Sequence, residues 1–227
     1  MPPVMQVIIS QVLRYMADNY LEKRFAEVFG PDAKKKTVVR RTNPSLDTLL
    51  RRNRSVRGYD SARHVTEEEL RAIVAVNPLI ASSKNRQALR FRIVTEGWES
   101  VGRHCGYGAH LPELHLPFPG TEPQAFIVVC SQVPEDVGLG IDLGISLQSM
   151  LLKAVEMGLN GLMIRSFRRD KLRESLSLPL EPVAVLAIGK SAESIYLKPV
   201  AAGESLIYYR KEGVHYVPKL GVDDLLV

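Results

Sequence analysis

A soluble globular fold that mixes helices with strands is what this 227-residue sequence predicts. Three observations predict it. Helix-start signals stand at Asn43-Pro44 and at Thr66-Glu67-Glu68-Glu69, where a capping side chain precedes an apolar periodicity. The run Ala125–Cys130 is wholly apolar, as a central strand covered on both faces must be. Asp142 to Met157 is apolar nearly all round and ends at Gly158, the pattern of a helix buried on several sides, in a core or at a subunit interface.

The totals set the bounds. Hydrophobic content of 45% and charged content of 24% are those of an ordinary soluble protein, and the length suffices for one substantial core plus an appended segment. The net charge is +5 with a pI near 9.2, yet 30 basic residues are offset by 25 acidic ones. That balance argues against a dedicated nucleic-acid binder. Cys105 and Cys130 form neither a disulfide framework nor a zinc spacing, which suits reduced thiols in the cytoplasm. The apolar run Val4 to Ile9 is short, no basic segment precedes it, and charges recur from Arg14 onward, so no secretory signal is read. No uninterrupted apolar stretch approaches the ~20 residues of a membrane span. A cytoplasmic protein without membrane contact is expected.

Taken in order, residues 5–29 read as a helix with Val7, Ile8, Val12, Leu13, Met16, Tyr20, Phe25 and Val28 on its apolar positions. Gly30-Pro31 stops it, and Lys34-Lys35-Lys36 belongs to a linker. Residues 1–42 are thus expected to be a helical extension, and residues 43–227 the main body. In that body Asn43 caps a helix with Pro44 at its first position, which carries Leu46, Leu49 and Leu50 toward a core and ends in Arg52-Asn53-Arg54-Ser55-Val56-Arg57. The helix opened at Thr66 runs through Leu70, Ile73 and Val74 to about Val76. Strands are expected at Phe91–Thr95, Ala125–Cys130, Gly161–Ser166 and Val183–Gly189, with a short helix Arg169–Ser175. The connection Val101 to Gln124 is long and rich in Gly, Pro and His, and such length signals a lid. From Glu193 to Val227 the chain reads as extended, either wrapping a neighbouring subunit or crossing its own surface.

Two segments carry chemistry. The arginine cluster offers planar bidentate donors and a hydroxyl, the equipment for a phosphate monoester; a solvated basic helix end is the plain alternative. Between a helix and a strand, Ala81-Ser82-Ser83-Lys84-Asn85-Arg86-Gln87 presents neutral donors and acceptors suited to a flat polar ring, or simply makes a turn. Together they suggest a phosphorylated heterocyclic cofactor. Gly138-Leu139-Gly140-Ile141-Asp142-Leu143-Gly144 has the wrong spacing for a dinucleotide fingerprint. Asp142 is read as a helix cap without catalytic duty. His104, His110 and His115 beside Cys105 lack fixed metal-ligand geometry.

In their order these segments resemble the FMN-dependent nitroreductase family over about residues 43 to 227. Arg54-Ser55-Val56-Arg57-Gly58-Tyr59 resembles its Arg-x-Ser-x-Arg motif, and the 81–87 loop its Pro-Ser-x-x-Asn-x-Gln-Pro-Trp loop. Asp142-Leu143-Gly144-Ile145 with Ala154 and Gly158-Leu159 resembles its central helix. Tyr208-Tyr209-Arg210 through Val217-Pro218-Lys219 resembles its C-terminal arm. The resemblance implies an α+β fold with a central, mostly antiparallel sheet flanked by helices, in an entwined homodimer with FMN at the subunit interface. It implies that Ser55, Arg57 and Lys219 hold the phosphate and ribityl chain, that Ser82, Ser83 and Asn85 come from the partner with Gln87 nearby, and that Arg165-Ser166 faces the flavin ring. Departures are Asn53 in place of the first arginine, leaving Arg52 or Arg54 to substitute, Ala88-Leu89 for Pro-Trp, Ser166 for glycine, and Arg165 for a small or acidic residue. Arg165 is expected to stabilise reduced, anionic flavin.

The activity implied is ping-pong hydride transfer, from diffusible NAD(P)H through FMN to a small-molecule acceptor such as a nitroaromatic or quinone. It needs no side-chain general acid, in keeping with the lack of a catalytic constellation. Rival readings are a flavin binder without turnover, a different flavin chemistry (fragmentation, dehalogenation, azoline oxidation) on the same fold, and an anion- or nucleic-acid-binding module built on Arg40, Arg41, Arg51, Arg52 and Arg54.

Overall fold

A computed structural model of the chain describes residues 43–108 and 112–227. The expected helix over 5–29, the linker at 34–36 and His110 lie outside the described residues. The elements of the unit Asn43–Val227 are, in order, α1 (Leu46–Arg52), α2 (Glu67–Val74), β1 (Leu89–Val94), α3 (Glu99–Gly102), β2 (Ala125–Ser131), α4 (Val137–Glu156), β3 (Asn160–Ile164), α5 (Arg169–Ser175), β4 (Glu181–Gly189), β5 (Ser194–Val200), β6 (Tyr209–Lys211) and β7 (Val214–Leu220).

The main sheet has the order β1-β2-β4-β3, every neighbour antiparallel. The wholly apolar strands take the two inner places. Every residue of β2 is buried, and so is β4 from Pro182 to Gly189. Alternation along these strands divides the core in two. Ile127, Val129, Leu186 and Ile188 face Leu70 and Ile73 of α2 and Leu143, Leu147 and Met150 of α4. Phe126, Val128, Val185 and Ala187 face Val56, Tyr59, Val101 and Leu172. Each fully buried large apolar side chain contributes roughly 1.5–3 kcal/mol, and both faces supply them. This is the expected α+β architecture, a mostly antiparallel sheet between helical layers.

The capping box at Thr66 forms as expected: its hydroxyl accepts from Glu69 N at 3.2 Å, and Glu69 Oε2 accepts from Thr66 N at 3.0 Å. Two other helix starts differ from expectation. Ser45, not Asn43, caps α1, its extended backbone letting Oγ accept from Thr48 N at 3.3 Å. Helix α4 begins before Asp142, at Val137, because Asp136 Oδ1 accepts from Leu139 N at 2.6 Å. Asp142 therefore lies inside the helix and is buried. Helix α1 has no buried residue, and Leu46 is 62% exposed; a two-turn helix lying over a cavity cannot deliver its leucines to the core.

Helix α4 is long and apolar enough, by length and composition, to cross a membrane, but in this fold it is a core helix. Leu139, Leu143, Leu147, Met150, Leu151 and Ala154 make its buried face. Its opposite face is open in the single chain, where Val137 is 82% and Ile141 58% exposed. The tail, expected to be extended, forms a three-stranded sheet of order β5-β7-β6, with β5 and β7 parallel.

Candidate functional site

The arginine segment is laid along the edge strand β3. Asn160 holds it with both ends of its amide: Nδ2 donates to Arg52 O at 2.7 Å and Oδ1 accepts from Arg54 N at 3.3 Å. Val56 N then donates to Gly161 O at 3.1 Å, and Ser55 bridges Gly161 in parallel. Residue 161 must be glycine for β3 to pack this closely on β4 and α4, since a Cβ there would meet Leu151 Cδ2 at 2.8 Å and the Ala187 carbonyl oxygen closer still. With Val56 anchored in the core, its neighbours Ser55 and Arg57 are fixed in direction.

Arg57 is 8% exposed. Its amide donates to Glu193 Oε2 at 3.1 Å and its Nη1 to Ser55 O at 3.3 Å, while its guanidinium lies 5.1 Å over the Tyr208 ring. Glu193 forms its ion pair with Arg210. Among the described residues Arg57 forms no ion pair, and its buried Nε has no partner. A buried cation left uncompensated is costly, and an anion arriving beside it removes that cost.

Asn53, Arg54, Ser55, Arg57 and Lys219 all line one cavity of about 370 Å³, within the ~300–1,000 Å³ range of small-molecule clefts. Leu50, Leu151, Met163, Ile195 and Val217 give it apolar walls, and Gln148, Tyr208 and His215 complete it. Asn53 Nδ2 donates to Gln148 Oε1 at 3.3 Å. Burial lowers the Arg54 pKa below the ordinary guanidinium value. His215 is 2% exposed, and burial, then Arg57 and Arg210, push its pKa down against the opposing Glu193.

The 81–87 loop stands against the start of α4. Ser83 N donates to Asp142 Oδ1 at 2.6 Å, and Arg86 grips both oxygens of Asp136 at 2.8 and 3.0 Å. Ser82 Oγ accepts from Gln87 N at 3.1 Å, and Gln87 Nε2 donates to Asn85 Oδ1 at 3.0 Å. Lys84, Asn85 and Gln87 have φ of 52°, 54° and 46°. Such left-handed backbone at non-glycine residues clusters at functional sites. Ser82 and Gln87 line a second cavity of about 450 Å³, with Asp142 and Ser146 on its wall; Ser83 and Asn85 belong to the loop but not to that wall. Asp142 is thus a loop anchor rather than the cap expected from sequence.

Arg165 and Ser166 line neither cavity. Arg165 pairs with Glu135 at 3.0 Å, and Arg169 pairs with the same carboxylate. Ser166 O accepts from Gly106 N at 2.7 Å, and Cys105 bridges Phe167, so the start of the long connection is pinned along this segment. The expected site residues therefore fall in three places on one chain: the cationic cavity, the 81–87 loop and the exit of β3. Sequence reading missed Gln148, Glu193 and His215. A lone histidine between Val214 and Tyr216 carries no signal of its own; only the tail's fold brings it to Arg57. Both cysteines are free, and burial pushes Cys105 up to about 12 and Cys130 up to about 11, far from the thiolate a nucleophile requires.

A sequence model of the Nitroreductase family matches residues 113–190. Among the candidate residues, only Arg165 and Ser166 lie within that match. Similar solved structures include a nitroreductase family protein from Clostridium difficile 630, 27% identical over 64% of this chain and 83% of that one, TM-score 0.50. A nitroreductase family protein from Streptococcus pneumoniae TIGR4 covers 81% of this chain and 99% of its own at 14% identity, TM-score 0.60. The FMN and NADPH-dependent nitroreductase NfnB from Sphigopyxis sp. strain HMH is 19% identical over 66% and 89%, TM-score 0.54. No protein of curated function matches the sequence. The chain has the nitroreductase fold, and the match to the family's sequence model covers about a third of it, residues 113–190.

Proposed function

We propose that the protein is an FMN-dependent oxidoreductase that takes hydride from NAD(P)H and passes reducing equivalents to a small acceptor. The observation carrying this reading is Arg57, a buried cation without an ion pair among the described residues, in one cavity with Ser55, Arg54 and Lys219. The residues fit the group: cations and a hydroxyl for a phosphate monoester, and apolar walls for a ring system. Arg57, Ser55 and Lys219 would hold the phosphate and the sugar-alcohol chain. Bound there, FMN would supply the hydride acceptance and release that no side-chain constellation here provides. The chain's own residues bind and orient it and keep water from its buried part.

Ser82, Ser83, Asn85 and Gln87 enter this reading as a second patch contributed by a partner subunit. The open apolar face of α4, with Val137 and Ile141 exposed, supports a second copy docking there, and the dependence of NfnB on FMN and NADPH supports the choice of cofactor and donor. Arg165 and Ser166 at the exit of β3 complete the proposed ring environment once that copy is in place.

The test is direct. Protein purified with ample riboflavin should be yellow, release FMN on heating, and lose its visible absorbance when mixed with NADH or NADPH. A colourless protein that ignores titrated FMN ends the proposal. A yellow protein that neither nucleotide bleaches is a flavin binder without turnover.

A further inference from the structure

We propose that His215 is a phosphate-responsive wall of the cationic cavity, taking up a proton when a phosphate monoester enters. The inference rests on the flavin reading above and adds to it a residue and a proton balance. His215 lines the same cavity as Arg57, Ser55 and Lys219 while being 98% removed from solvent by its 2% exposure. Its buried Nδ1 has no partner, an arrangement native structures seldom tolerate without a reason. The ring is packed against Tyr208 at 5.2 Å between centroids, and Arg57 lies on that same tyrosine.

Burial and the charges around the imidazole together explain both states. Arg57 comes from the segment after α1, Arg210 from β6, Glu193 from the turn before β5, and Lys219 shares the cavity from β7. Burial first, then Arg57 and Arg210, disfavour the charged ring, and Glu193, committed to Arg210 and to the Arg57 amide, opposes them. A phosphate monoester brings close to two negative charges. Beside it the local field reverses, and an adjacent opposite charge raises an imidazole pKa by on the order of one to three pH units. The protonated ring then carries a donor on each nitrogen. The balance is simple: one proton moves from solvent to His215, and no covalent bond changes.

Calorimetric titration in buffers of different ionisation enthalpy reads this proton. At about pH 7.5 the phosphate has already lost its second proton, so net uptake reports the protein. FMN binding to the wild-type protein should take up a substantial fraction of a proton, riboflavin none. In His215→Gln the uptake should vanish, and FMN should bind roughly 10-fold more weakly for want of a charged hydrogen bond, with riboflavin affinity changed much less. His215→Asn repeats the test, with circular dichroism confirming the fold of both variants. FMN binding without proton uptake overturns the inference and leaves the flavin reading intact, as does equal uptake in the variants. If wild-type protein binds no FMN at all, the flavin reading itself fails, and the inference with it.

Discussion

At Arg57 a single side chain decides between a basic surface and a binding site. Its neighbours Arg51 and Arg52 are exposed, as a helix end lets them be; Arg57 is pulled inward because Val56 is locked beside Gly161. Charged hydrogen bonds contribute roughly 1.5–3 kcal/mol each, so Arg57→Ala should weaken FMN binding by about 10- to 100-fold in a fluorescence titration, and riboflavin binding much less. Equal losses for both ligands would place the phosphate elsewhere. The cluster was legible in the sequence, but the difference between its arginines was not, because it depends on Asn160 and Glu193, more than 100 positions away along the chain. A pH effect follows at the same scale. Burial lowers His104 and His215 from the ordinary 6.5, so below that value the unfolded chain binds protons that the folded one refuses. Stability without ligand should therefore fall as pH drops from about 6.5 toward 5, visible as a declining denaturant midpoint. Removing both histidines should flatten that decline.

Among the elements, helix starts separate what local chemistry writes from what packing writes. Thr66 and Glu69 were readable because both halves of the capping box lie within four residues. Thr66→Ala should cost about 1 kcal/mol, or about 2–4 °C in melting temperature for a chain of this size, with FMN affinity untouched. Asp136 was not readable as a cap: Gly138 and Gly140 look like loop residues, and their helical state depends on Arg86 gripping Asp136 from outside the helix. Mistaking Asp142 for the cap followed from the same blindness, since its true partner is an amide 59 residues away. Gly161 joins the two kinds of information. Gly161→Ala should force β3 away from β4 and α4, costing on the order of 1–3 kcal/mol by overpacking. It should lower FMN affinity as well, because the cationic segment is hung on that residue. A variant as stable and as tightly binding as wild type would refute this account of the edge strand.

For the whole molecule, the sequence disclosed the central place of β2, whose run Ala125–Cys130 is wholly apolar, and the burial of the helix over 142–157. It could not disclose that the phosphate-type patch and the 81–87 loop border different cavities of one chain. That separation makes sense if a second copy brings its loop to the first copy's cation, across the open face of α4. Sedimentation should then give a mass near twice the 25.3 kDa chain, and Ile141→Lys should lower both mass and flavin content. The sharper experiment mixes two defective proteins. Arg57→Ala spoils the cationic patch, and a chain with Ser82 and Asn85 changed to Ala spoils the loop. Neither alone should retain tight FMN binding. In a twofold-symmetric dimer each mixed pair carries one intact site and one doubly broken site. After subunit exchange, about a quarter of the sites should bind FMN with wild-type affinity. Recovery of that fraction requires the two patches to meet across subunits. No recovery, with exchange verified by differently tagged chains, would mean that each chain builds its site alone.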